Sequence, residues 1–389
     1  MPPRHPEHAR TQGAPVDRYH RQRLLPSIGD AGQERLAEAR VLVAGCGALG
    51  CGIIDALARA GVGRLVLVDR DIVETTNLQR QSLYTERDAE QGVPKAVAAA
   101  ERVAAINSRV AAEPVVADLS AANAARLGRG CDLILDGLDN FEARYILNDL
   151  AVREGLPYIY GGAVATTGMS LAILPRPEWD APERAPGGHL RWSAAQATPC
   201  LRCLFPSAPP PGASPTCDTA GVLGPMVTII AAFQATQAIK LLVGAIDAVD
   251  RRLLSVELWE NEWRFLDASA AGPAPECPCC AARRFEFLEP RRDEGGSRSG
   301  GASTLCGRDA VQVSPAEDAR RIDLEAIASR LVGHGSFDVR PHLLRGVLTA
   351  ERGDAGEVEL TLFRDGRAIL KGVRDPARGR AIYAKYIGM

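Results

Sequence analysis

The chain has 389 residues, 46% of them hydrophobic and 24% charged, enough for one large folded domain and a smaller one. A formal net charge of −2 argues against a polyanionic partner and so excludes nucleic acid as a target. The first sixteen residues hold Pro, His and Arg but no apolar run, so they read as a disordered leader (residues 1–17) rather than a signal peptide or membrane anchor. Ten cysteines without a secretory signal place the protein in the reducing cytoplasm, where spaced cysteines hold metal or do chemistry.

In chain order, short apolar runs of buried-strand type contain Val41–Ala44, Leu65–Val68, Val115–Val116, Leu133–Leu135 and Tyr158–Ile159. Helical patterns at Leu49–Ala60 and Lys95–Ile106 separate the early runs. This β-α-β alternation predicts an α/β fold with a doubly wound, largely parallel, Rossmann-like sheet over residues 18–289. Met169–Leu174 and Leu253–Leu258 read as added strands that could run antiparallel, and the apolar run Met226–Val243 as a buried helix, since Gln234, Gln237 and Lys240 interrupt it. Residues 205–216 form a Pro/Ala/Ser loop, residues 176–197 a long insertion with the look of a flap, and residues 290–303 a flexible linker. Beyond it, a helix at Leu324–Leu331, strands at Leu343–Thr349, Glu357–Phe363 and Ala368–Leu370, and a helix at Ala377–Tyr386 predict a small α+β accessory domain over 304–389.

The chemistry begins at Gly45-Cys46-Gly47-Ala48-Leu49-Gly50, which follows the first strand and opens a helix. Glycines there allow a tight turn and bring backbone N–H groups close to phosphate at a helix N-terminus. Asp69 ends the next strand, where a carboxylate can accept from ribose hydroxyls. These residues alone favour an NAD(P)-binding oxidoreductase over an ATP enzyme. Their neighbours reverse the order. Asn77, Arg80 and Gln81 follow Asp69, and Lys95 opens a helix after Gly92-Val93-Pro94. Two cations and two amides at one crevice suit a triphosphate. Asp139, after the fourth strand, suits Mg²⁺, an ion that takes few protein ligands.

Farther on, Cys200-Leu201-Arg202-Cys203 and Cys277-Pro278-Cys279-Cys280 form two knuckle-like pairs able to close one tetrahedral, structural Zn²⁺ site. Cys279 leaves the second pair ambiguous, and the two-residue gap favours Cys277 with Cys280. Cys217 follows the Pro-rich loop in a setting that suits either a mobile, reactive thiol or an inert one. Cys46, Cys51 and Cys131 lie in or beside core elements and read as packing.

Several motifs together resemble the ThiF/MoeB/HesA family, bacterial relatives of the ubiquitin-activating enzymes. They are Arg18-Tyr19-His20-Arg21-Gln22, Gly29 with Gly32-Gln33, the Gly45–Gly50 turn, Ala60-Gly61-Val62-Gly63, Asp69-Arg70-Asp71, Asn77–Gln81, Pro94-Lys95 and Asp139-Asn140. The resemblance covers residues 18–288. It implies that ATP and Mg²⁺ activate the C-terminal glycine carboxylate of a ubiquitin-like sulfur-carrier protein by adenylylation. It further implies that Asp69 holds ribose, that Asn77, Arg80, Gln81 and Lys95 surround the phosphates, and that Asp139 holds Mg²⁺. Arg21 would reach the neighbouring subunit's ATP, which implies a homodimer. In ThiF-type proteins a cysteine in the Cys217 context is linked to sulfur transfer, so a sulfur donor such as a cysteine desulfurase is an expected partner. The same resemblance supports the choice of Cys277 and Cys280, through its Cys-Pro-x-Cys pattern. Tyr160–Val164, Cys217–Gly221 and Trp259–Glu262 look like the ThiF branch, hence a ThiS-like carrier and thiamine thiazole synthesis. A MoeB-like chain acting on a MoaD-type carrier is the alternative, and it would carry Arg-x-x-Gly-Gln where this chain has Thr166–Met169.

Overall fold

A computed structural model describes residues 17–177, 190–207, 220–268, 274–289, 302–305, 309–314, 322–354 and 356–388. The large domain is built on eight strands: β1 (Arg40–Ala44), β2 (Arg64–Asp69), β3 (Ala111–Val116), β4 (Leu133–Asp136), β5 (Tyr158–Val164), β6 (Thr167–Ile173), β7 (Leu253–Glu257) and β8 (Glu262–Leu266). Their order is β3-β2-β1-β4-β5-β6-β7-β8. β3 through β5 run parallel, and β6, β7 and β8 join antiparallel. The doubly wound core is therefore as expected, and both added strands are present and antiparallel.

The strand sequences explain their places. β1 and β4 are buried almost throughout and sit at the centre, covered on both faces. β3 contains Pro114, which cannot donate to a ladder, and it takes an edge. β8 is exposed along its whole length and closes the opposite edge. One face of the sheet packs against helices Ala48–Ala60, Lys95–Ile106 and Gly224–Leu242. The last of these is long and apolar enough to cross a membrane by length and composition, yet it lies against the sheet and the Ala48–Ala60 helix. Contact there is close: a Cβ added at Gly52 would stand 2.7 Å from the Ala231 methyl. The other face is covered by Phe141–Glu154 and the cysteine-bearing segments.

The small domain is one antiparallel sheet of β9 (Ala302–Leu305), β10 (Ala310–Val313), β11 (Gly335–Val339), β12 (Leu343–Gly353), β13 (Gly356–Phe363) and β14 (Ala368–Lys371), in the order β11-β12-β13-β14-β10-β9. Helices Leu324–Arg330 and Pro376–Tyr386 join its separate core, which includes Val311, Leu344, Leu360 and Tyr383. Three strands here, β9, β10 and β11, add to the three expected. β9 opens at Ala302, so its first two residues fall inside the stretch expected as linker. Most of the leader, of the Pro-rich loop with Cys217, of the 176–197 insertion and of the linker lies outside the described residues.

Candidate nucleotide site and cysteine centre

Parallel pairing sets Ala44 beside both Val68 and Asp136, so the ends of β1, β2 and β4 meet at one edge of the sheet. Strand order reverses between β1 and β4, and ligands of such sheets bind at that crevice. Three glycines make the floor. Gly45 has φ +87°, and a Cβ on it would lie 2.5 Å from the Gly137 carbonyl oxygen. A Cβ at Gly50 would lie 2.0 Å from the Gly45 oxygen. Both glycines are demanded by the protein itself. Gly47 is different. A Cβ there would meet nothing nearer than 3.8 Å and would project into the open crevice beside the Gln81 amide. Gly47 is also the N-cap of the Ala48–Ala60 helix, without a side-chain cap or an acidic first turn, so this end offers unshielded N–H groups to an anion.

Around this turn the structure gathers most of the expected residues. Asp69 is half-buried and accepts from the Cys46 N–H at 2.7 Å and the Asp71 N–H at 2.7 Å. Burial pushes its carboxyl above the usual range, opposed by the nearby Lys95 cation. Gln81 is buried, and its Oε1 has no partner, an orphaned acceptor of the kind a ligand donor satisfies. Asn77 is buried as well and caps its own turn by accepting from the Glu74 N–H at 3.2 Å. Arg80 donates to the Thr76 carbonyl at 2.9 Å. Lys95 is 5% exposed and pairs with Asp71 at 3.0 Å. Asp139 is exposed at the rim, two residues past Gly137.

Arg21 is not part of this assembly. Its short helix is exposed, while its neighbour Gln22 donates to the Gln33 side chain at 2.7 Å and to the Ala60 carbonyl at 2.9 Å. Ala60 ends the thirteen-residue helix that Gly47 begins, so Arg21 is anchored about 20 Å from the glycine turn.

Residue-by-residue sequence reasoning missed a second layer. Asp136, fully buried at the end of β4, takes 3.1 Å and 2.7 Å hydrogen bonds from Arg144 Nε and the Tyr158 hydroxyl. Burial raises its carboxyl pKa against the pull of Arg144. Arg144 also donates from Nη2 to the carbonyls of Leu138 at 2.6 Å and Gly161 at 2.9 Å, fixing the turn that presents Asp139. Burial opposes this guanidinium's charge, but Asp136 holds its pKa above the arginine range. The available signal was a polar set, Arg144, Asn148 and Asp149, within the otherwise apolar run Ala143–Val152 of that helix.

That set reaches the cysteine centre. Cys200, Cys203, Cys277 and Cys280 bring their sulfurs within 4.8 Å of one another. Neighbouring Sγ separations are 3.8, 3.7 and 3.4 Å. A tetrahedral Zn²⁺ with bonds of about 2.3 Å sets its sulfurs about 3.8 Å apart, so the donor set fits a closed zinc site with no open position. Cys279 accepts from Asn148 Nδ2 at 3.2 Å and stands outside the cluster, which resolves the ambiguity of the second pair. Asn148 Oδ1 accepts from the Leu201 N–H at 2.8 Å, and Asp149 from the Phe287 N–H at 2.9 Å. Cys46, Cys51 and Cys131 are buried, and burial pushes the Cys51 and Cys131 thiols up to about 12 and about 11, as expected of packing residues.

Comparison with known proteins agrees with this geometry. The ThiF family profile matches residues 19–279. The chain belongs to the ThiF family. It is 40% identical over 372 residues to the sulfur carrier protein ThiS adenylyltransferase of Bacillus subtilis, covering 95% of this chain and 99% of that one. It is 39% identical over 265 residues to the sulfur carrier protein adenylyltransferase of Thermus thermophilus, covering 68% of this chain and 90% of the relative. Among solved structures, Escherichia coli MccB with MccA-N7isoASN superposes with a TM-score of 0.55 at 20% identity, covering 69% of this chain and 76% of MccB, a likeness of fold. The ThiF-branch resemblance is thus upheld by a relative that matches through the small domain as well.

Proposed function

We propose that this chain catalyses ATP-dependent adenylylation of the C-terminal glycine carboxylate of a ThiS-like, ubiquitin-like sulfur-carrier protein, activating it for the sulfur transfer of thiamine thiazole synthesis. One observation carries the nucleotide half: Gly47 is the one floor glycine that packing leaves free, and it caps a helix N-terminus beside the Gln81 amide nitrogen, donors that suit phosphate oxygens. The carrier half rests on likeness to the Bacillus subtilis enzyme along nearly all of both chains.

In this reading Asp69 accepts from ribose, while Gly45, Gly47 and Gly50 let the backbone approach the phosphates. Asn77, Arg80, Gln81 and Lys95 line the polyphosphate. Mg²⁺, when bound, neutralises phosphate charge, and Asp139 is the carboxylate to hold it, one protein ligand beside phosphate oxygens being a donor set that ion accepts. A carrier carboxylate oxygen bonds to the α-phosphorus as the α–β bridging bond breaks. Acyl-adenylate and pyrophosphate result. The nucleophile is already an anion, so no side chain has to take a proton, and the residues act by positioning and by charge. Arg21, far from its own glycine turn, serves the site of a second subunit in a homodimer. Cys217 supplies a thiol for the later sulfur relay with a sulfur donor such as a cysteine desulfurase.

The test is ATP–pyrophosphate exchange with purified carriers ending in Gly-Gly. Exchange faster with the thiazole carrier than with a molybdopterin-synthase carrier is expected, and the reverse order favours the MoaD-type alternative. No exchange with any carrier refutes adenylylation. Asp139→Ala should lower exchange by at least about 10²-fold with folding intact, since an exposed rim carboxylate contributes charge stabilisation rather than packing.

A further inference from the structure

The small domain touches the large one where the nucleotide-side residues are carried. Arg367 is 6% exposed and donates from Nη1 to the Arg70 carbonyl at 3.0 Å, one residue past Asp69. Its guanidinium is pre-set by Asp365 at 2.7 Å and lies over the Phe363 ring, 4.8 Å from the centroid. Arg340, itself paired with Asp338 at 2.8 Å, donates to the Glu90 carbonyl at 2.6 Å. Leu343, fully buried, packs on Gly92, whose added Cβ would stand 3.1 Å from its methyl.

The two gripped stretches are paired with each other. Val73 N–H donates to the Val93 carbonyl at 2.9 Å, Lys95 N–H to the Asp71 carbonyl at 2.8 Å, and Ile72 bridges Pro94. Together they present Asp69 from one side and Lys95 from the other. Between the grips, Ile72 to Thr76 line a cleft of about 280 Å³ that Arg340, Leu343 and Arg345 wall from the small domain, while Val73 anchors the middle of the stretch in the large-domain core.

We infer that the small domain is a clamp that holds residues 70–76 and 90–95 in their nucleotide-binding arrangement, with Arg367 as its principal positioning residue. This rests on the adenylylation reading for its catalytic consequence, but not for the clamp itself. Arg367 belongs to the small domain and acts through the backbone rather than through any group assigned to ATP. It fixes the carbonyl next to Asp69, the residue proposed for ribose, and the Arg70 side chain carries the constraint outward through Asp118 at 2.9 Å. The Thermus thermophilus relative is 90% covered by 265 residues, which leaves no room for a counterpart of the small domain beside the large one. The clamp therefore adds to a site whose chemical groups all lie in the large domain.

The experiment uses the full chain and the variants Arg367→Met, Arg367→Lys, Arg340→Met and, as control, Lys385→Gln on helix Pro376–Tyr386, whose side chain pairs with Glu351 of β12. Amide hydrogen exchange without nucleotide should quicken at least about tenfold across 70–76 and 90–95 in Arg367→Met, the loss expected for one hydrogen bond from a charged donor. The control should match wild type. In pyrophosphate exchange, KM for ATP should rise about tenfold with kcat within about twofold, and Arg367→Lys, which keeps a cationic N–H donor, should recover most of it. Arg340→Met should loosen 90–95 in the same way, and it decides the matter if Arg367→Met does not fold. Unchanged amide protection in a folded variant overturns the clamp, as does a kcat loss at constant KM. A wild-type chain with no exchange activity would instead overturn the function, leaving the amide result to judge the clamp.

Discussion

Gly47 and Gly50 differ by three positions and by what surrounds them, and that contrast can be measured. Gly50→Ala forces a methyl to within 2.0 Å of the Gly45 oxygen, so the turn must shift. Overpacking of this kind costs about 3 kcal/mol. At 2–4 °C per kcal/mol for a domain of this size, Tm should fall by about 6–12 °C. Gly47→Ala meets no atom within 3.8 Å. Its φ of −75° is ordinary and its ψ of −149° lies just beyond the extended region. That strain costs about 1 kcal/mol, or about 2–4 °C. Activity should rank the other way round relative to stability. On the proposed reading, the methyl of Gly47→Ala would occupy the space through which phosphate approaches the helix N-terminus, and displacement of about 1 Å at reacting groups costs about 10²-fold. Calorimetric Tm, ATP affinity and pyrophosphate exchange should be measured on both variants. A Gly47→Ala protein that binds ATP like wild type would refute the assignment of that glycine to the ligand.

Three further outcomes are expected. Elemental analysis should give about one zinc per chain, and Cys200→Ser should lose the metal and lower Tm by at least about 5 °C, because a structural site contributes its binding energy to folding. A stable, metal-free wild type would contradict this. Arg21→Ala and Lys95→Ala proteins, each inactive alone, should regain activity when assembled as heterodimers, because one of the two sites then holds both residues; inactive verified heterodimers would place Arg21 in its own chain's site. Cys217→Ala should leave pyrophosphate exchange near wild type while impairing thiocarboxylate formation on the carrier. A folded variant that lost exchange would assign that thiol to the first step.

The parallel half of the sheet was legible because its signals are local and redundant: β1 is apolar from Val41 to Ala44 and is followed by Gly45, whose conformation few other residues adopt. The Cys200 and Cys277 pairs were legible by spacing alone, although which of Cys279 and Cys280 joins them depends on where Asn148 stands in space. β8 was hidden because an edge strand exposed on both faces shows no alternation. β10 is a four-residue run, Ala310–Val313, buried throughout and too short to carry a period. The Asp136–Arg144–Tyr158 network was missed for a deeper reason. Its members come from two strands and a helix, and although Arg144 stands out in its helix, only the fold gives the three a common purpose.

The Lys95–Asp71 pair has a consequence for what the crevice will admit. An ammonium group that is almost wholly buried already has its counterion, 3.0 Å away, before any ligand arrives. A newcomer must compete with a carboxylate that is held in place by the chain and therefore gives up no freedom to stay. If Lys95 serves phosphate as proposed, a weakly charged nucleotide loses that contest, whereas a triphosphate brings several negative oxygens to a single exchange of partners. Keeping the lysine neutralised at rest thus spares the empty site a buried bare charge and sets a threshold of ligand charge below which the cation stays where it is.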